Sequence, residues 1–178
     1  MTRGVRAGRT GGRVVAAGVA VCGLLGLTTG CTVPVGAVTG ITVTPDGSPV
    51  GVIRTCGHAI DGATLYVSAD DPAKETENGK WTSRVPLSGL TTWPLAAAGP
   101  GWTTRRPLTP LAEHTVYTLY GWTSDNSSSA AAVDFTPADL RALSPAQVRY
   151  DAPGLPDADA DGQVTVALSA FRAHACEH

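Results

Sequence analysis

The sequence LAEHTVYTLYGWT, residues 111–123, carries the densest strand pattern of the chain. In a strand, successive side chains point to opposite faces, so Tyr117 and Leu119 share one face while Tyr120 and Trp122 share the other. Both faces carry apolar side chains. Alternation alone therefore predicts a strand here without identifying its inner face.

Leu111 identifies the inner face, because it stands six positions before Tyr117. This spacing resembles the E–F corner of immunoglobulin and fibronectin type III domains, where a tyrosine near the start of strand F bonds to upstream backbone. The resemblance implies that Tyr117 and Leu119 face the core. Gly121 stands where the family usually has a third inward apolar residue, so a bulge at this glycine is the alternative to continued alternation.

Short alternating segments separated by turn residues continue on both sides of this stretch. They predict seven or eight strands between residues 39 and 136, and no long helical period interrupts them. The pattern predicts an all-β chain with a β-sandwich over residues 39–136. The resemblance implies that the sandwich is antiparallel and of the immunoglobulin or fibronectin type III kind.

The character of the chain changes after residue 136. Thr136-Pro137-Ala138-Asp139 combines an N-cap residue, a proline at the first helical position and an acid at the third, and Ser144-Pro145-Ala146-Gln147 repeats the signature. Residues 137–178 are therefore predicted to form a short helical extension packed on the sandwich, with Phe171 pointing inward.

The first thirty residues have the pattern of an export signal. Arginines precede an apolar run from Val14 to Leu27 that is shorter than the roughly 20 residues needed to cross a bilayer. The sequence from Leu27 to Cys31 resembles the lipobox of bacterial lipoproteins. The resemblance implies that residues 1–30 are a lipoprotein signal peptide, that Cys31 is the lipidated first residue, and that residues 31–38 tether the domain to the extracytoplasmic face of the cell membrane. Ordinary secretion, with Cys31 as a free thiol, is the alternative.

Loss of the signal peptide changes the charge balance. It removes four of the 13 Lys and Arg residues and none of the 15 Asp and Glu residues, which leaves a net charge of −6 at pH 7 with neutral histidines. Nucleic-acid binding favours a basic surface, so this balance argues against nucleic acid. It also argues against a polybasic membrane surface, and any membrane attachment would have to come from lipid.

The cysteines suggest one disulfide. Cys22 leaves with the signal peptide and Cys31 is the predicted lipidation site, which leaves Cys56 and Cys176. Exported proteins usually join such a pair, so we expect a bridge between an early strand and the C-terminus.

Two stretches raise the question of metal binding. Asp157, Asp159 and Asp161 with Gly162 resemble the first half of an EF-hand calcium loop, but Leu168 occupies the position that requires a bidentate glutamate. A solvated acidic linker is the alternative to a Ca²⁺ site. If the disulfide forms, three histidines, His58, His174 and His178, could also converge on zinc or copper.

Catalytic motifs find little support, because the chain has no Gly-x-Ser-x-Gly, His-Glu-x-x-His or phosphate-binding glycine loop. The sequence therefore favours a non-catalytic binding or interaction module of the cell envelope that needs no cofactor. A calcium- or transition-metal-binding envelope protein is the second interpretation and an envelope hydrolase the third. Tyr120 and Trp122 are the binding-face candidates, provided that the segment from Thr136 to Tyr150 does not cover them. We expect this segment to cover Trp122, which makes Tyr120 the better candidate for contact.

Overall fold

The computed structural model describes residues 32–177, and in these residues strands dominate. The strands are β1 (Val35–Val43), β2 (Pro49–Thr55), β3 (Ile60–Val67), β4 (Thr76–Leu87), β5 (Leu90–Pro94), β6 (Trp102–Arg106), β7 (Tyr117–Trp122), β8 (Ser129–Ala131), β9 (Val133–Phe135), β10 (Gln147–Asp151) and β11 (Gln163–Ala167). The helices are a 3-10 turn (Pro72–Lys74), α1 (Pro137–Ala142) and α2 (Leu168–His174). The prediction of an all-β chain is confirmed.

All eleven strands of the described residues belong to one sheet. Its main path runs β5-β2-β1-β8-β7-β3-β4-β6, and the hairpin of β10 and β11 branches from β1. The terminal strands meet, since the rings of Trp93 in β5 and Trp102 in β6 stack with centroids 4.4 Å apart. The sheet is thus a mixed sheet nearly closed into a barrel.

The prediction of a purely antiparallel arrangement is wrong at β1. This strand pairs with β2 along one edge, so β8 and β10 share its other edge, and β8 runs parallel to it. Because a strand has only two edges, three partner strands can pair with β1 only if two of them share one edge. Strand β1 begins at Val35, which lies inside the range 31–38 expected for the tether. Ala37 and Val38 therefore belong to the sheet, where they are buried.

Tyr117 hydrogen-bonds to upstream backbone and faces inward, as its spacing from Leu111 predicted. The Ala112 backbone N–H donates to the Tyr117 hydroxyl oxygen at 2.7 Å, and Tyr117 and Leu119 are buried. Alternation continues through Gly121, because β7 pairs with β3 in unbroken register from Tyr117 to Trp122. A Cβ at Gly121 would lie 3.0 Å from Ile60 and 3.1 Å from Ile53. Neighbouring side chains therefore fill the space that a third inward residue would take.

The C-terminal extension is only partly helical. The capping box at Thr136 and Asp139 starts α1 as predicted. The second signature makes a single turn instead of a helix: Ala146 has a positive φ of 85°, and β10 begins at Gln147. Strand pairing with β1 and β11 overrides the local helix signal here, because it buries Val148 and Tyr150 on one face.

Two apolar clusters stabilise the described chain. The larger lies inside the curled sheet and includes the inner residues of β1 to β9 together with Leu140 and Leu143 after β9. The smaller, which we call the C-terminal cluster, joins β10, β11 and α2 around the fully buried Phe171. The predicted disulfide between Cys56 and Cys176 is present, with a Cα–Cα distance of 5.4 Å, and attaches the end of α2 to the end of β2.

Candidate functional site

The outer face of β3, β4 and β7 carries three aromatic side chains that the barrel interior does not enclose. We call Tyr66, Tyr120 and Trp122 the outer aromatic cluster. All three are half-buried. Tyr66 and Tyr120 stack with ring centroids 5.9 Å apart and planes 19° from parallel. Alternation places them here, since Leu65 and Leu119, their neighbours in the chain, are buried on the inner face.

Trp122 is held in place by its neighbours on β3 and β4. It stands directly opposite Gly62, where a Cβ would lie 2.3 Å from the indole, so the ring lies against the backbone of β3. The indole N–H donates to the Thr64 hydroxyl oxygen at 2.8 Å, and the Lys80 ammonium lies 5.3 Å from the ring centroid in a cation–π contact. These contacts fix the position of the ring.

Residues 136–150, which were expected to cover the outer aromatic cluster, pack elsewhere. Leu140 and Leu143 enter the large inner cluster, and Val148 and Tyr150 enter the C-terminal cluster. The reason is the sheet order: β10 pairs with β1, and β8 and β7 separate β1 from β3 and β4. The expectation that residues 136–150 bury Trp122 is therefore wrong.

A shallow cleft of about 180 Å³ opens beside the outer aromatic cluster. Trp122 and Tyr120 line it together with Thr64, Ser124 and Asn126, the last two in the turn after β7. Its one charged lining residue is Lys80, whose ammonium is 3.7 Å from the Glu77 carboxylate. Apart from Lys80, the residues that line the cleft are aromatic or neutral and polar.

A second cleft, of about 240 Å³, also borders the indole of Trp122. Trp122 and Ser124 line both clefts, and Asp61 and Arg105 line the second one only. The Asp61 carboxylate accepts from the Ser124 backbone N–H and from its hydroxyl, each at 2.8 Å. These two bonds fix Ser124, which lines both clefts.

The Tyr66 hydroxyl is a neutral donor at physiological pH. Burial, as the largest cause, together with the neighbouring Tyr120 and the Glu77 carboxylate, raises the pKa of Tyr66 to about 12. Ionisation would place a phenolate beside these groups in a poorly solvated position. The outer aromatic cluster therefore offers O–H groups and ring faces without a negative charge of its own.

Sequence reasoning found Tyr120 and Trp122 but missed Tyr66, Lys80 and Asn126. The sequence could have indicated that Tyr66 faces outward, because Thr64 and Tyr66 alternate with the inward Ala63 and Leu65. Lys80 and Asn126 had none, since their closeness to Trp122 depends on the pairing of β3 with β4 and on the course of the turn.

The three aspartates of the predicted calcium loop do not converge. Asp159 accepts from the backbone N–H of Asp161 at 3.0 Å and of Gln163 at 2.9 Å, and its second oxygen contacts the Arg149 guanidinium at 2.8 Å. These bonds, which oppose the effect of burial, hold the pKa of Asp159 below its ordinary value. Asp159 thus organises the turn between β10 and β11.

No group of three or more His, Cys, Asp and Glu side chains in residues 32–177 is arranged to hold a metal ion. This finding covers the predicted ligands Asp157, Asp159 and Asp161, and also His58 and His174. His174 Nδ1 lies 3.0 Å from the Glu177 carboxylate, and His178 is outside the described residues.

A larger hollow, about 670 Å³, lies between the β1–β2 turn and α1. Its polar groups are engaged within the protein. Arg141 donates two hydrogen bonds to the Glu113 carboxylate, at 2.8 and 3.0 Å, and thereby lowers the pKa of Glu113. The Asp46 carboxylate accepts from the hydroxyls of Thr44 and Ser48, which lower its pKa. The outer aromatic cluster is the candidate site, because Trp122 is held against Gly62 and Thr64 and two clefts border it.

The predicted signal peptide, residues 1–30, and the lipidation site Cys31 lie outside the described residues. Within residues 32–177 no helix is both long enough and apolar enough to span a membrane. Comparison of the chain with protein-family models, with curated proteins and with solved structures finds no match.

Proposed function

We propose that this protein is an exported lipoprotein, anchored to the membrane through Cys31, whose β domain is a non-catalytic binding module. The outer aromatic cluster is its contact surface. The observation that carries the proposal is that Trp122 is fixed against Gly62 and Thr64 while two clefts open beside it. Tyr and Trp fixed in advance lose little conformational entropy on binding and contribute strongly at contact surfaces.

The export part of the proposal rests on the N-terminal pattern and is supported by the disulfide. Bridges such as Cys56–Cys176 persist in oxidising compartments and are rare in reducing ones. The immunoglobulin or fibronectin type III relationship likewise remains part of the proposal. It is supported by the hydrogen bond from the Ala112 N–H to the Tyr117 hydroxyl.

Site-specific crosslinking in cells tests the contact surface. A photoreactive amino acid at position 120 should capture a ligand or partner, whereas the same amino acid at Val116 should not. Val116 is the matched control, because it is exposed just before β7 and lines neither cleft. Equal capture from both positions, or none from position 120, would refute the assignment of this face.

Cell fractionation tests the anchor separately. The wild-type protein should sediment with membranes and label with a radioactive fatty acid, and Cys31→Ser should abolish the label and release the protein. A wild-type protein that is soluble and unlabelled would refute the lipid anchor but leave the contact surface unaffected.

A further inference from the structure

The chain between the predicted lipidation site and the sheet is shorter than the sequence suggested. Pro34 is already attached to the domain, because its carbonyl oxygen accepts from the Ser129 backbone N–H at 2.9 Å and from the Ser128 hydroxyl at 3.2 Å. Pro34 is the third residue after Cys31. At about 3.3 to 3.6 Å per residue, a lipid on Cys31 would therefore hold Pro34 within about 11 Å of the anchored residue.

Pro34 lies at one end of the barrel, which we call the tether end. The Gly36 carbonyl oxygen at this end accepts from the Cys56 backbone N–H at 2.8 Å. A Cβ at Gly36 would lie 2.7 Å from the Ser128 hydroxyl oxygen. The tether end thus consists of the start of β1, the loop between β2 and β3 (residues 56–59) and the turn between β7 and β8 (residues 123–128).

Exposed apolar side chains collect at the tether end. Among residues 32–177, the large apolar side chains that stay exposed are Val33, Val35, Val85 and Val116. Val33 and Val35 flank Pro34. Val85 lies at the same end, because the next residue, Pro86, lines a cleft with residues 58 and 59. Three of these four side chains therefore lie where the anchor would hold the domain, and apolar side chains gain free energy on leaving water.

Val116 lies at the opposite end of the barrel. β3 runs from Ile60 at the tether end to Val67, and the next residue, Ser68, donates its backbone N–H to the Val116 carbonyl oxygen at 3.0 Å. At about 3.3 Å per residue, the eight residues of β3 span roughly 25 Å. The opposite end is therefore too far from Pro34 for the short tether to draw it to a bilayer.

Charge gives the tether end no attraction of its own to an anionic membrane. The loops 56–59 and 123–128 contain one acid, Asp125, and no lysine or arginine. Hydrogen bonds from Ser127 lower the pKa of Asp125, so this carboxylate is ionised at neutral pH. Anionic lipids attract clusters of basic residues. Contact with a membrane must therefore come from the anchor and the apolar side chains.

We propose that the tether end lies against the bilayer surface, with Val33 and Val35 among the lipid headgroups and the opposite end directed away from the membrane. The short tether holds the domain in this orientation. This inference rests on the lipid anchor of the proposed function and specifies which surface of the domain the membrane covers.

Quenching by lipid headgroups tests the orientation. Full-length lipidated protein is reconstituted into phosphatidylcholine vesicles in which part of the lipid carries a nitroxide on its headgroup. A fluorescent amino acid replaces Gly57 at the tether end or Ala73 in the exposed 3-10 turn at the opposite end. A Cβ at Gly57 meets no atom within 4 Å, so this position accepts a side chain. Fluorescence should be lost at position 57 and retained at position 73.

A longer tether tests whether chain length sets the orientation. Insertion of about twenty glycine and serine residues between Thr32 and Val33 adds a flexible chain with an end-to-end distance of about 25 Å. The protein should still sediment with the vesicles, but quenching at position 57 should fall several-fold. Undiminished quenching would contradict the role given to the short tether.

Two exposed valines provide a second matched pair. A photoreactive amino acid at Val85 should crosslink to phosphatidylcholine in the same vesicles, whereas the same amino acid at Val116 should not, although both positions are exposed. Thermal melting of each variant identifies any loss of folding.

Several outcomes would overturn the inference. One is equal quenching at positions 57 and 73, or none at either, and another is lipid crosslinking from Val116 but not from Val85. In each case the anchor stands if the wild-type protein carries fatty acid and Cys31→Ser releases it from membranes. A wild-type protein without fatty acid would remove the anchor, and the inference would fail with it.

Discussion

Aromatic residues on the two sides of the same sheet have opposite environments. Trp81, Trp93 and Trp102, the inner tryptophan cluster, pack face to face or edge to face inside the barrel and are 0 to 6% exposed. Tyr66, Tyr120 and Trp122 lie on the outside, half-buried beside open clefts. The difference shows that ring burial, and not the residue type, distinguishes the two groups of aromatic side chains.

Hydrogen bonding follows the same division. The indole N–H groups of Trp81 and Trp93 are buried without a partner among the described residues, whereas that of Trp122 donates to Thr64. An unpaired buried donor costs about 1 to 3 kcal/mol. A buried aromatic ring removes about 150 to 250 Å² from water, which stabilises by roughly 4 to 6 kcal/mol at 25 cal/mol per Å². Ring burial therefore outweighs the lost hydrogen bonds inside the barrel.

Truncation of one ring from each group should give the largest difference. Trp93→Ala would leave a cavity between Trp81 and Trp102 and should lower the free energy of unfolding by about 3 to 5 kcal/mol. Tyr120→Ala should lower it by about 1 kcal/mol or less, because the ring is partly solvated. Urea unfolding measures both. Equal losses would show that the outer ring is as structural as the inner one.

The disulfide tests whether the inner cluster depends on the C-terminal cluster. Replacing both Cys56 and Cys176 by serine opens a loop of 120 residues and should lower the free energy of unfolding by roughly 2 to 5 kcal/mol. None of the inner tryptophans belongs to the C-terminal cluster, so their near-ultraviolet circular dichroism should persist below the midpoint. Loss of that signal in the folded variant would mean that the two clusters are not independent.

Two glycines provide a matched pair of substitutions. Gly51 stands opposite Trp93 and Gly62 opposite Trp122, and a Cβ at either position would lie 2.3 to 2.4 Å from an indole. Trp93 is enclosed by other rings, so Gly51→Ala should lower the free energy of unfolding by about 1 to 3 kcal/mol through overpacking. Trp122 can move toward solvent, so Gly62→Ala should lower it by less. Gly62→Ala should nonetheless shift tryptophan fluorescence and weaken ligand binding. Equal losses of stability in Gly62→Ala and Gly51→Ala would contradict the expected difference between the two faces.

The smallest effect concerns the ionisation of Tyr66. Its pKa is about 12 in the folded protein against an ordinary value near 10, so the unfolded chain loses this proton first as pH rises. The contribution of Tyr66 to stability is therefore complete below pH 10 and should be lost between about pH 10 and 12. Tyr66→Phe should flatten this decline in urea unfolding midpoints. An unchanged decline in the variant would assign it to other groups, among them Tyr150, whose pKa burial also raises.

Local patterns predicted many elements correctly where one interaction dominates. The strand at 117–122 follows from alternation, α1 from its capping box, and the hydrogen bond between Tyr117 and upstream backbone from the position of Leu111. The disulfide followed from the two cysteines that remain when the predicted signal peptide and the predicted lipidation site are set aside. Each of these depends on a few residues that are close in sequence, or on chemistry that admits one pairing.

Other features could not be read locally. Residues 144–147 resemble a helix start, but β10 gains more from burying Val148 and Tyr150 than one helical turn would provide. The parallel pairing of β1 with β8 joins segments about ninety residues apart, and the partners of Asp159 depend on where β10 brings Arg149.

The amino-acid sequence by itself determined that this chain is β-rich, which side chains of β7 point in each direction, and that Cys56 and Cys176 are available to each other. Only the tertiary structure decided that the face of Tyr120 and Trp122 stays uncovered and that Lys80 and Asn126 border it. The physical reason is that alternation is a property of one strand, whereas exposure depends on which distant segments pair with its neighbours. Here β10 pairs with β1 and leaves the outer face of β3 and β7 free of the C-terminal segment.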